Sequence, residues 1–281
     1  MKNLITRALT GALYVILLVG CTVWSPLSAF FFFAVVAAAT LWEFSTLMNR
    51  HAGASIVRHF NAMAGLILVS VVWLQVIGSQ SASQMFGLYI LVMLYMLISE
   101  LYRKAQDPLR NWTLIFASQL YVALPFALLP MLSVTYDAAE SRYVYSWIYP
   151  LALFIFIWTN DTGAYLCGSA LHNVFPAKLF PRISPKKSWV GSIGGGLLTL
   201  AVSVLIWYLS PDSLTLYKWM GLALVVVLFG TWGDLVESMM KRQFGIKDSG
   251  NVLPGHGGLL DRFDSVLLCI PAAVAYFLIV N

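Results

Sequence analysis

The chain has 281 residues, of which 60% are hydrophobic and only 10% charged, and its mean hydropathy is +0.80. Soluble domains carry about 25% charged residues, so this composition excludes an ordinary water-soluble fold. The formal charge of +5 matters through its placement, because Lys and Arg position sets membrane orientation.

Apolar runs of spanning length recur along the whole chain. Lys2 and Arg7 precede the first, at about 8–23. It resembles a signal peptide, but no small-residue cleavage site follows, and it reads as a retained span. Further spans are expected at about 27–47, 62–77, 86–101, 114–132, 147–166, 189–209, 217–240 and 263–280. Pro125 and Pro130 interrupt the fifth, which membrane helices tolerate. With the N-terminus inside, fifteen of the seventeen basic residues fall on inside segments, and only Arg142 and Lys218 lie outside. The expectation is an all-α polytopic membrane protein of about nine spans, with a cytoplasmic N-terminus and an external C-terminus. No long linker or internal repeat divides it, so one integral-membrane domain over 1–281 is expected. Cys21, Cys167 and Cys269 stand singly, without metal or disulfide spacing.

The segment Ser238–Ser265, SMMKRQFGIKDSGNVLPGHGGLLDRFDS, is the one long polar run. Asp261 and Asp264 lie at i and i+3, one face of a helix. Carboxylates so paired suit Mg2+, or else balance a helix N-terminus. Before them, Gly255, Gly257 and Gly258 flank His256. Such glycines permit positive φ and close backbone approach to phosphate, with Lys241, Arg242 and Lys247 as counter-charges. It is not a Walker loop.

In the eighth span, Asp234, Ser238 and Lys241 form a stripe at i, i+4 and i+7. An acid inside a span points to function. Glu237, to one side of the stripe, reads better as the partner of Lys241 in an ion pair at the membrane edge, worth about 0.2–0.5 kcal/mol, whereas Asp234 reads better as functional. Asp161, in WTNDTGAYLCG, is another acid within a span, and Arg182, Lys186 and Lys187 follow in the next loop. These bases would attract nucleotide or anionic lipid, or simply report orientation. Gly194, Gly195 and Gly196 suit tight helix packing.

The run Ser238, Lys241–Arg242, Lys247–Asp248, Pro254–Gly258 and Asp261–Asp264, with NDTGAY and SPKKSW upstream, resembles the signature of the phosphatidate cytidylyltransferases, or CDP-diacylglycerol synthases. The resemblance is specific over about 238–265 and weak over the N-terminal spans at 1–133. It implies transfer of CMP from CTP to phosphatidate in a cell membrane, at a site facing the cytoplasm. It also implies Mg2+ held through Asp234, Asp261 and Asp264, and allows a monovalent cation such as K+ beside it. Ser238 and Lys241 are associated with the same site. Arg242, Lys247, Asp248, Gly255, His256, Gly257, Gly258, Arg262, Asp161 and Lys186 become substrate-binding candidates. CTP and membrane phosphatidate are the implied partners; nucleic acid is not, and a homodimer is compatible with the sequence. A related CTP-dependent enzyme acting on another lipid, or a cation-coupled transporter using Asp161 and Asp234, are the competing readings.

Overall fold

The computed structural model describes residues 2–137, 140–250 and 257–280, with side chains from residue 8 onward. Helices occupy all nine expected span positions. Among the described residues, seven are long and apolar enough to cross a membrane: Pro26–His51, Arg58–Val76, Ser81–Arg103, Pro108–Ser133, Trp189–Leu209, Leu216–Gln243 and Leu260–Val280. An eighth, Ala8–Trp24, is apolar but shorter. The ninth, Ile148–Leu171, has the length but carries Asn160, Asp161 and Thr162 in its middle. The chain is an all-helical, multi-pass membrane protein. Internal contacts divide it into two compact units, 1–147 with 248–263, and 148–247 with 264–281.

The first unit is built from α1 (Lys2–Trp24), α2 (Pro26–His51), α3 (Arg58–Val76) and α4 (Ser81–Arg103), each packed on its sequence neighbour. The α1–α2 corner is sharp because Ser25 caps α2. Its hydroxyl accepts from Ser28 N–H, the Ser28 side chain returns to Ser25 N–H, and Pro26 takes the first helical position. The proline-containing span stays helical. It runs as α5 (Pro108–Ser118), a π-helical turn (Gln119–Ala123), α6 (Leu124–Leu128) and α7 (Pro130–Ser133). Pro125 has no N–H and crowds the carbonyl one turn back, and the widened turn before it relieves both problems. Buried polar groups here bond one another: Asn61 Nδ2 donates to Ser45 and Ser118 hydroxyls, both at 2.9 Å, and Gln119 Nε2 donates to Asn61 Oδ1 at 2.8 Å, while Gln119 Oε1 has no hydrogen-bond partner among the described residues. A hairpin not foreseen in the sequence, β1 (Val134–Asp137) with β2 (Arg142–Tyr145), follows α7.

In the second unit α8 (Ile148–Leu171), α9 (Trp189–Leu209) and α10 (Leu216–Gln243) pack mutually. A short ribbon, β3 (Lys178–Phe180) with β4 (Ser184–Ser188), joins α8 to α9. Ser188 ends the ribbon and caps α9, accepting from Gly191 N–H at 3.2 Å. The α8–α9 contact is made by glycine: a Cβ on Gly195 would stand 2.5 Å from Asn160 O and 2.9 Å from Ala164 N. One on Gly191 would stand 2.6 Å from Ala164 O. In lipid, where helices gain little from hydrophobic burial against each other, this close approach is the main attraction. Trp219, fully buried, packs on Phe156 and Tyr149. Helix α11 (Leu260–Val280) belongs to the first unit through residue 263 and to the second from residue 264.

Gly195→Val should therefore lower thermal stability in detergent by about 1–3 kcal/mol, since backbone atoms cannot yield as a side chain can. Gly20, with open space around its Cβ position, is the control: Gly20→Ala should not destabilise. Equal thermal midpoints for the two variants would refute the α8–α9 packing.

Candidate active site

In the second unit, charge gathers where β4, α8, α10 and the α11 residues from 264 onward meet. Lys187, from β4, places Nζ 2.7 Å from Asp234 Oδ2. Ser238, one turn along α10, donates to Asp234 Oδ1 at 3.0 Å. Asp234 is therefore gripped from both oxygens while a third of its side chain stays exposed (32%). Asp264 lies close enough to interact electrostatically with both Asp234 and Asp161. Glycine sets that proximity too. A Cβ on Gly233 would stand 2.6 Å from Asp264 O, and one on Gly230 would stand 3.3 Å from Cys269 Sγ. The spacing GTWGD thus lets α11 lie against α10 with the two acids adjacent. A cavity of about 260 Å³ opens here, lined by Asn160, Asp161, Lys186, Lys187, Ser188, Thr231 and Asp234 among others.

The lower end of α10 departs from the expected edge pair. Lys241 Nζ lies 2.5 Å from Glu237 Oε2, with 11% and 0% of their side chains exposed. The i,i+4 pair is real, but it is buried, and the estimate of a few tenths of a kcal/mol for an exposed pair does not apply. Lys241 shares the stripe with Asp234 and Ser238 as expected, yet its ammonium is engaged by Glu237. Arg242 is exposed and ties the helix end, donating to Ile183 O at 3.4 Å and Ile246 O at 3.0 Å. Lys186 and Lys247 are exposed cations, and Asp248 an exposed acid.

In the first unit, Asp261 is an organiser of the glycine-rich segment. Its Oδ2 receives Ser249 N–H at 2.8 Å and Gly258 N–H at 2.8 Å, with Ser249 Oγ at 2.9 Å. Gly257 has φ +82°, the positive value expected of it. Gly258 is required for another reason: a Cβ there would collide with Glu43 Oε1. Arg262 is exposed beside Asp261. Gly255 and His256 lie outside the described residues.

The carboxylates Asp161, Asp234 and Asp264 supply oxygen donors of the kind a hard divalent cation takes. Among the described residues, no three His, Cys, Asp or Glu side chains form a ready ligand group. Mg2+ binds through one or two carboxylates and is completed by water and substrate phosphates. Asp161, Asp234, Ser238, Lys186 and Asp264 are brought to one region of the second unit. Asp261, expected to share the metal, has its Oδ2 committed to the loop.

Two participants go beyond the sequence expectations. Lys187 stands in the sequence as one of a basic run, in which the resemblance points to Lys186. Glu43, buried in α2 (5% exposed), accepts from Ser249 Oγ at 2.6 Å, Leu259 N–H at 2.8 Å and Leu260 N–H at 3.1 Å. The signal for Glu43 was present: it is an ionisable residue within a span, the argument already applied to Asp161 and Asp234.

A polytopic helical protein with an acid cluster beside basic side chains defines a membrane class suited to phosphorylated substrates. Comparison is more specific: the model of the cytidylyltransferase family matches residues 5–280, and the chain belongs to that family. It is similar to the phosphatidate cytidylyltransferase of Staphylococcus aureus (strain COL), with 46% identity over 123 residues, 44% of this chain and 46% of the relative. The like-named protein of Staphylococcus haemolyticus is 40% identical over 146 residues, 50% of this chain and 55% of the relative. That of Staphylococcus saprophyticus is 38% identical over the same length. The matched segment thus spans about half the length of these curated relatives.

Because Glu237 has no solvent exposure, Glu237→Ala would leave a cation in a low-dielectric interior. We expect a loss of about 3–5 kcal/mol, against a few tenths for an exposed pair. Lys241→Ala should lose a comparable amount, and Glu237→Ala/Lys241→Met should recover part of it. Thermal midpoints of the three variants in detergent check this, and a near-neutral Glu237→Ala would contradict the buried pair.

Proposed function

We propose that the protein transfers CMP from CTP to phosphatidate, giving CDP-diacylglycerol and pyrophosphate. The observation that carries this is the Lys187–Asp234–Ser238 group, with Asp161 and Asp264 beside it, in a chain of the cytidylyltransferase family. Support for the lipid acceptor comes from the names of the staphylococcal relatives.

The chemistry asks little of a general base. A phosphate monoester is an anionic nucleophile already, so the protein's work is alignment and charge neutralisation. Asp234 and Asp264 would hold Mg2+, with Asp161 adjoining. Bound there, Mg2+ would neutralise and align the triphosphate; K+ beside it belongs to the same reading. Ser238 and Lys187 orient Asp234, and they limit its freedom to turn away. Lys186, exposed at the cavity, supplies positive charge for phosphate oxygens, and Arg242 and Lys247, at and beyond the end of α10, are further candidates. A phosphoryl oxygen of phosphatidate attacks the α-phosphorus of CTP, and the bond to pyrophosphate breaks.

The test is to incubate purified protein with labelled CTP, Mg2+ and phosphatidate, and to look for label in a CDP-lipid. Asp264→Asn should reduce turnover about 100-fold or more while the protein stays folded, the scale for loss of one preorganised charge partner. Lys187→Ala should act similarly through Asp234. Absence of a CDP-lipid from wild-type protein would reject the function, and near-normal turnover of Asp264→Asn would remove that residue from metal binding.

The site is proposed to face the cytoplasm across the cell (inner) membrane, on the strength of the distribution of basic residues. In a background without native cysteines, Lys247→Cys should react with an impermeant reagent only from the cytoplasmic side. Asp212→Cys, at the other end of α10, should react only from outside. Reaction of both from one side would break the arrangement.

A further inference from the structure

We propose that Glu43 is a positioning residue for Ser249 and the N-terminus of α11, acting as a fixed anionic clamp on both. This rests on the proposed function for its catalytic readout, though not for its structural one. The clamp is made entirely within the first unit. On one side Glu43 Oε1 lies 2.6 Å from Ser249 Oγ; on the other its two oxygens accept the backbone N–H groups of Leu259 and Leu260, at 2.8 and 3.1 Å. Those two amides stand at the start of α11, where a helix has N–H groups without intrahelical acceptors and a partial positive charge. A carboxylate from a different helix therefore caps α11.

The same Ser249 hydroxyl lies 2.9 Å from Asp261 Oδ2. Its single proton can serve one acceptor at a time, and Asp261 is held further by the Ser249 and Gly258 amides. Ser249, Gly258 and the start of α11 are thus held by two carboxylates that share one serine. Gly250 and Gly258 close the fit. A Cβ on Gly250 would stand 2.8 Å from the Glu43 carboxyl carbon, and one on Gly258 would overlap Glu43 Oε1. Gly258, which the sequence offers for phosphate approach, makes room for Glu43, as does Gly250. Asp264 follows one turn further along the same helix.

Three donors converge on Glu43, so only a group that accepts on both oxygens serves. Glu43→Gln keeps the volume but turns an NH2 toward one of them. Amide hydrogen exchange on the full-length protein in detergent, with turnover of labelled CTP and phosphatidate measured in parallel, tests the clamp. Glu43→Gln should speed exchange at Leu259 and Leu260 at least tenfold, leave amides of α3 unchanged, and lower kcat at least tenfold. Wild-type exchange at Leu259 and Leu260 would overturn the proposal, as would faster exchange spread across α2 and α3, which marks a general packing defect. If Glu43→Gln does not fold, Ser249→Ala takes its place. A wild-type thermal midpoint with at least a fivefold loss of kcat supports the clamp, and wild-type kcat overturns it. A wild-type protein without CTP transfer would fail the proposed function alone, because the exchange result stands without it.

Discussion

Carboxylates in an apolar interior govern this structure. Moving an ionised group out of water costs several kcal/mol even after relaxation, and it is tolerated only with a partner and filled hydrogen-bonding sites. Among the described residues, three deeply buried acids each have a partner. Glu237 takes Lys241, Glu43 takes a hydroxyl and two backbone amides, and Glu100 takes Arg103 and Asn111. The Glu43 and Glu100 contacts tie together elements that hydrophobic packing alone would leave free to slide, because lipid is as apolar as the helix faces it touches.

The acids that are not fully enclosed stand where chemistry is proposed. Asp234 remains partly exposed while both of its oxygens are held, and Asp161 and Lys186 are open at the same cavity. That combination, a rigid donor set with access for a ligand, is what a phosphate-bound divalent cation requires. Glycine makes the arrangement reachable: Gly233 lets Asp264 approach Asp234, and Gly191 and Gly195 seat α9 against α8 beside Asp161.

Much of this was legible in the residues. Run length and hydropathy located every helix, and the spacing from Ser238 to Asp264 led to the family that the comparison identifies. The i,i+4 relation of Glu237 and Lys241 was readable, but its burial was not, since depth depends on which helices cover that face of α10. Likewise Asp261 and Asp264 share a helix face by spacing, whereas their different partners follow from tertiary contacts. Glu43 illustrates the limit most clearly. Its partners Ser249 and Leu259 lie more than 200 residues away, and no local pattern reports a contact of that range.

Asp234 and Asp264 are proposed to form the divalent-cation site of a nucleotidyl-transfer centre. The most direct measurement is Mn2+ binding to the purified protein, followed by electron paramagnetic resonance in the presence of CTP. The account expects a bound Mn2+ population in wild-type protein that Mg2+ displaces and that both Asp234→Asn and Asp264→Asn abolish. Undiminished Mn2+ binding in either variant would contradict it.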